Sequence, residues 1–208
     1  DGQMSILKTQ EVSEAVGLVA EIYDDDVRDL GYVPSHTRAM ALNPEAVKAF
    51  EPLIRAVAGP LSKRRYELVT LAAAEAIGSQ ACRVAHSRKS LKYMDEPEIA
   101  AVLRDYHAAG LSEAEVAMMD FAQKLSRDSS SMTDADSQRL RDLGFDDREI
   151  VDIALAAAAR NYYSRALQAL AVEVDVPPDL PADIRTVGDL LSWLKAAARR
   201  RRGRHRAA

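Results

Sequence analysis

Turn-forming residues are scarce in this chain. Glycine and proline together fill 17 of 208 positions, about 8%, while alanine alone fills 36. Globular chains usually carry roughly 12% glycine plus proline. Many short strands need many turns, so this composition argues for long helices rather than many short strands. Alanine is the best helix former, because it loses no side-chain entropy and hides no polar group. The expected fold class is therefore all-α, at a length sufficient for a packed core.

The caps and breaks divide the chain into helices. Val12 to Leu30 has apolar residues near helical spacing, with Gly31 as its stop and Pro34 forcing an extended step. Asn43-Pro44 opens a helix to about Val57, which Gly59-Pro60 should break. Ser62 caps a helix to about Ile77, Gly78 stops it, and Ser79 caps the next, from Gln80 to about Tyr93. A helix hairpin thus occupies residues 62–93. Asp95-Glu96-Pro97 opens a short helix to His107, and Ser112 with Glu115 forms a capping box for a helix to Ser126. Thr133 caps a short helix to Leu143. Arg148 to about Val174 reads as the longest helix. Its stretch from Ile153 to Ala159 is apolar nearly all round, so it is expected to be the most buried. Thr186 is read as the cap of a last helix through Ala198.

The single cysteine, Cys82, excludes a disulfide within the chain and a cysteine zinc cluster. No apolar run approaches the ~20 residues of a membrane helix, and residues 1–20 lack a secretory pattern. The expected location is cytoplasmic, without a membrane partner. Asp1-Gly2-Gln3 reads as a remnant ahead of Met4. Seven of the 28 basic residues lie from Lys195 onward, and no acid accompanies them there. The rest of the chain then holds 21 basic residues against 32 acidic. The Arg199–Arg206 run has no interleaved aromatics, so nucleic acid is not an expected partner and a solvated tail is.

Chemistry-bearing residues concentrate in the hairpin. Cys82 and His86 are four apart and share one helix face. Cys82 is the third residue after Ser79, where unpaired amides and the helix dipole favour an anion. That end effect contributes only about 0.3–1 kcal/mol. An activated thiolate therefore also calls on His86 or Arg83. Glu67, one helix earlier, is placed to fold back and orient His86, which would make an acid–histidine–cysteine relay. The same residues also suit plainer roles: a buried small hydrophobe, a solvated glutamate and a core histidine. Asn161 and Arg165, four apart on the long helix, face either the pocket or a neighbouring helix. His36 is expected at the surface, beside the pocket mouth. No metal ligand set and no cofactor loop is apparent.

Glu67, eleven residues, Ser79, two residues, Cys82, three residues, His86 resembles the motif of the alkylhydroperoxidase D (AhpD) and carboxymuconolactone decarboxylase-like superfamily, in which both middle positions are cysteines. The flanks agree with its peroxidase-related branch: Leu61 to Val69, Leu30 to Ser35 followed by Asn43-Pro44-Glu45, Leu143 to Ile150, and Asn161 to Arg165. The resemblance spans residues 12–176. Residues 1–11 are then an N-terminal extension, 177–198 a C-terminal helical extension and 199–208 a basic tail.

The resemblance implies an AhpD-like helical bundle and a homo-oligomer, often a trimer or hexamer. It implies Cys82 as the peroxidatic thiol, with His86 and Glu67 moving protons and Ser79 in the resolving position. Arg83, Asn161 and Arg165 are supporting candidates. Two-cysteine members carry a histidine just before the second cysteine, where this chain has Ala81. Serine forms no disulfide, so what survives is one-cysteine chemistry. Cys82 would reduce hydrogen peroxide or an alkyl hydroperoxide, and an external thiol or reductase would restore it. Two alternatives stand beside this. One is an acid–base enzyme on a small carboxylate or lactone, using Glu67 and His86. The other is a non-catalytic, redox-responsive scaffold.

Overall fold

The computed structural model describes residues 5–186, and no strand occurs among them. Nine α-helices follow in order: α1 (Gly17–Leu30), α2 (Ser35–Met40), α3 (Pro44–Leu61), α4 (Lys63–Ala76), α5 (Gln80–Ser90), α6 (Glu96–Asp105), α7 (Glu113–Asp128), α8 (Asp134–Asp142) and α9 (Asp147–Ala169). Single 3-10 turns lie at Val12–Glu14, Tyr106–Ala108 and Ser129–Ser131. The all-α expectation holds.

The bundle is built around α4, which packs against α3, α5, α7 and α9. Every residue of α4 from Tyr66 to Ala74 is buried. The small side chains of Ala72, Ala73 and Ala74 let neighbouring backbones approach, and Leu68, Val69, Ile99, Met118, Met119 and Ile153 fill the space around them. The most buried helix is therefore α4, not the long α9. On α9, Val151, Leu155 and Tyr162 remain 45–54% exposed on one side.

Several boundaries differ from the sequence reading, each for a local reason. The first helix begins only at Gly17, whose φ of +59° separates it from the preceding 3-10 turn. Pro34 is extended as expected, and the residues after it form the short helix α2. Helix α3 continues through Gly59-Pro60 to Leu61, because Gly59 has no Cβ to meet the proline ring. It ends where Ser62 turns to a φ of +68°. The Ser62 hydroxyl then accepts from the Arg65 amide. Helix α5 ends at Ser90 rather than Tyr93. Helix α9 ends at Ala169, five residues early, because Ala171 takes a left-handed φ of +50° and the Val172 amide bonds back to the Leu167 carbonyl.

After α9 the chain returns across the bundle. Asp175 accepts from the Ser35 amide at 2.5 Å, and Asp179 accepts from Arg88 at 2.6 Å. Leu180 and Ile184 join the main core. Residues 182–186 are helical, and the Thr186 hydroxyl bonds back to the Ala182 carbonyl. Thr186 thus lies inside a helical turn rather than capping one. The expected helix from there to Ala198, the arginine run and the leader before Met4 lie outside the described residues. No described helix is long and apolar enough to cross a membrane.

Candidate active site

The turn between α4 and α5 sets the geometry. Gly78 adopts a φ of +70°, and the Ser79 amide donates to the Ala74 carbonyl at 2.9 Å. This tight reversal runs α5 back along α4, with the start of α5 beside the end of α4. Glu67, one helix back, thereby reaches His86: Glu67 Oε2 and His86 Nδ1 are 2.7 Å apart, and both residues are buried.

Electrostatics assign the proton in this contact. Burial, helped by the nearby Arg160 charge, lowers the His86 pKa to about 3 against the pull of Glu67. Burial works to raise Glu67, but the contact with His86 outweighs it and holds the carboxyl below its ordinary range. At neutral pH the pair is a carboxylate and a neutral imidazole. His86 Nδ1–H donates to Glu67, and Nε2 is left as the acceptor.

Cys82 is 3% exposed and lies at the third position of α5. Two donors face its sulfur: the Ser164 hydroxyl at 2.9 Å and the Arg160 guanidinium at 3.4 Å. Arg160 also bonds Tyr66, and its carbon lies 5.7 Å from the centre of the Tyr163 ring. A charged donor and a hydroxyl thus converge on one sulfur in the first turn of α5.

Arg160 and Ser164 were not singled out from the sequence, although a signal existed. They continue the buried face of α9 that runs through Ile153 and Ala157 to Leu167. A charged residue on an otherwise apolar face is a site signal. The candidates read from the sequence, Asn161 and Arg165, each lie one residue further along α9. Those two form a helix contact: Asn161 donates to the Ser126 hydroxyl at 2.8 Å, and Arg165 bonds Asn161 and the Ser126 carbonyl.

Arg83 also turns away from the sulfur. It lies 3.1 Å from Glu75 and bonds Gln80 and the Leu103 carbonyl beside a separate cavity of about 200 Å³. Ser79 stands in the cap position of α5 without a side-chain cap bond, and the hydroxyl at the sulfur is that of Ser164. His36, expected at the surface, lines the pocket edge-on to Tyr163 at 6.4 Å. Burial lowers its pKa to about 4. Among the described residues, no group of three His, Cys, Asp or Glu side chains is arranged to hold a metal.

Cys82, His86, Glu67 and Arg160 open on one cavity of about 400 Å³. Its walls come from α1, α2, α3, α4, α5 and α9, with Phe50, Ile54 and Leu167 as apolar lining. Acidic Asp25 and Glu51 and basic Arg55 and Lys89 also border it.

Comparisons with known proteins bear on the family and the fold. Residues 44–124, which run from α3 into α7 and include the hairpin, match the carboxymuconolactone decarboxylase family. No curated protein matches the chain. Among solved structures, the chain is similar to an alkylhydroperoxidase AhpD core, an uncharacterized peroxidase-related protein from Ralstonia eutropha JMP134. The identity is 25% and the TM-score 0.73, over 83% of this chain and 93% of that one. A peroxidase-related protein from Silicibacter sp. TM1040 shares 26% identity at a TM-score of 0.70, over 83% and 94% of the two chains. The debrominase Bmp8, as a cysteine-to-alanine variant in complex with 2,3,4-tribromopyrrole, shares the fold at 17% identity and a TM-score of 0.71, over 91% and 98%. Residues 44–124 thus match the carboxymuconolactone decarboxylase family, and the fold of the described residues is similar to that of AhpD-core structures.

Proposed function

We propose that the protein is a one-cysteine peroxidase that reduces hydrogen peroxide or alkyl hydroperoxides at Cys82. The carrying observation is the pair of donors on Sγ, Ser164 at 2.9 Å and Arg160 at 3.4 Å, at the wall of a cavity shared with the Glu67–His86 dyad. The superfamily and the peroxidase-related neighbours support an antioxidant-related role.

In this reading the Cys82 thiolate attacks the distal peroxide oxygen. The S–O bond forms as the O–O bond breaks, and two electrons pass from sulfur to the peroxide. The leaving alkoxide takes a proton and departs as the alcohol or as water. Cys82 is left as a sulfenic acid. Glu67 holds the His86 imidazole neutral, so that Nε2 accepts a hydrogen bond from the peroxide O–H, while the thiol proton leaves through the cavity to solvent, which returns one to the leaving oxygen. An external thiol then restores Cys82.

The test is treatment with micromolar hydrogen peroxide in the presence of a dimedone-type probe, followed by mass spectrometry. A probe adduct on Cys82 is expected. A Cys82 that stays unmodified while free small thiols react would overturn the reading.

The Glu67–His86 contact does not involve the sulfur, and Lys89 and Arg160 line the same cavity. These observations favour a second reading, acid–base chemistry on a small carboxylate or lactone. Turnover of a carboxylated lactone that persists in Cys82→Ala and is lost in Glu67→Gln would establish it. The exposed apolar side of α9 supports a homo-oligomer, which sedimentation velocity would reveal as a species heavier than 22.8 kDa.

A further inference from the structure

We infer that the thiol restoring oxidised Cys82 is a low-molecular-weight thiol of amino-acid type, bearing both carboxylate and ammonium groups, and not a cysteine on a folded protein. This rests on the peroxidase reading of the same site. Reduction of the sulfenic acid requires a second sulfur to come within bonding distance of Sγ. Cys82 Sγ is held inside the bundle by Arg160 and Ser164, and the residue is 3% exposed. The cavity leading to it is walled by helices and not by mobile loops, and six helices contribute to it. At 3% exposure Cys82 presents almost no surface on which a protein-borne cysteine could dock. A small thiol needs no such surface: about 400 Å³ falls within the ~300–1,000 Å³ usual for small-molecule sites.

The charges select among small thiols. Asp25 and Glu51 on one hand, and Arg55 and Lys89 on the other, border the cavity. Glu51 and Arg55 are four apart on α3, and Lys48 lies 3.5 Å from Asp25. Asp25 is also paired with Arg28 at 3.0 Å, and Asp26 lines the cavity as well. A ligand with both charges finds a counter-charge of either sign on this lining, while a single-sign ligand meets repulsion as well as attraction. No cysteine of the chain competes, since Cys82 is the only one.

The chemistry balances with that thiol as the only reductant. The first thiol attacks the sulfenic sulfur, an S–S bond forms, the S–O bond breaks, and water leaves. A second thiol attacks the mixed disulfide, returns Cys82 as thiol and leaves as the small-molecule disulfide. Two electrons come from two thiols.

The test uses the full chain oxidised with one equivalent of hydrogen peroxide, with the sulfenic acid proven by dimedone tagging of a parallel aliquot. Separate aliquots then receive glutathione, 2-mercaptoethanol or reduced thioredoxin at equal thiol concentration, and intact mass is followed. A glutathione mixed disulfide on Cys82 is expected, with clearance of the sulfenic acid at least ten-fold faster than by thioredoxin. In Arg55→Glu, clearance by glutathione should slow several-fold relative to 2-mercaptoethanol. Clearance by thioredoxin but not by glutathione overturns this inference alone. An unchanged ratio in Arg55→Glu overturns its amino-acid-type part. Absence of the dimedone adduct overturns the peroxidase reading, and this inference with it.

Discussion

Arg83 and Arg160 are both buried, at 3% and 6% exposure, yet they are held by different partners. Arg83, on the far side of α5 from the sulfur, lies 3.1 Å from the Glu75 carboxylate and bonds Gln80 and the Leu103 carbonyl. Arg160 makes no ion pair with a carboxylate among the described residues, and its partners are Cys82 and Tyr66. Burial works against its charge, while Cys82 and Tyr66 favour it. A buried cation that is paired reads as architecture. One held by a sulfur and a phenol, with no carboxylate, reads as a site, because the charge is kept where it can serve the sulfur.

Exchanging each guanidinium for a hydrocarbon of similar length tests this contrast most severely. Arg160→Met removes the charged donor on Sγ and should slow reaction of Cys82 with hydrogen peroxide by about 100-fold, the scale of losing one positioned donor. Its unfolding midpoint in urea should hold or rise, since an uncompensated buried charge is gone. Arg83→Met should do the reverse. The peroxide rate should stay within about two-fold, and stability should fall by about 2 kcal/mol, toward the low end for a broken buried pair because Glu75 is partly exposed. Equal rate losses in both variants would erase the distinction.

The helix hairpin was legible in the sequence because its caps are strong local signals: Ser62, Gly78 and Ser79 delimit α4 and α5 within a few residues. The Glu67–His86 spacing was legible for the same reason, since a short hairpin leaves few ways for two helices to meet. What escaped depends on long-range packing. Arg160 and Ser164 reach Cys82 across about 80 residues of sequence, and only the rotation of α9 against α5 decides that they, and not Asn161 and Arg165, face the sulfur. The end of α9 was hidden because alanine occupies the left-handed position that glycine usually marks. Burial was misassigned between α4 and α9 because composition cannot tell an apolar helix at the centre of a bundle from one with an apolar side left exposed.

The cavity side should also be the side that acid attacks. His36 and His86 are lowered to about 4 and about 3. Their unfolded-state value is near 6.5, so below that pH the unfolded chain binds protons that the folded chain refuses. Stability conferred by neutral histidine is intact above 6.5 and is lost as pH falls toward the folded values. Glu67, also lowered, adds loss of the same sign below about 4.5. Between pH 7 and 5.5 each histidine should contribute about 1 kcal/mol of that loss. Urea midpoints at pH 7, 6 and 5.5 should therefore decline in the parent protein and decline less in His36→Phe. Identical slopes would mean that His36 is not held neutral by the cavity.

The smallest contrast sets two serines of the same bundle against each other. Ser164 donates to Cys82 Sγ at 2.9 Å, whereas Ser126 accepts from Asn161 at 2.8 Å in the contact between α7 and α9. A hydrogen bond of either kind contributes about 0.5–1.5 kcal/mol net. The two serines differ in where that energy is felt. Ser164→Ala should slow alkylation of Cys82 by iodoacetamide about five-fold, because the lost donor favours the thiolate, which is the attacking form. Its effect on the thermal midpoint should be slight, since sulfur is a weak acceptor and keeps Arg160. Ser126→Ala should leave the alkylation rate unchanged and lower the midpoint by a few degrees, because the Asn161 amide loses a partner in a helix contact. If the serines behave alike in both measurements, the line drawn between Arg160 and Arg83 does not extend to the hydroxyls, and the donor array at Cys82 reduces to the guanidinium alone.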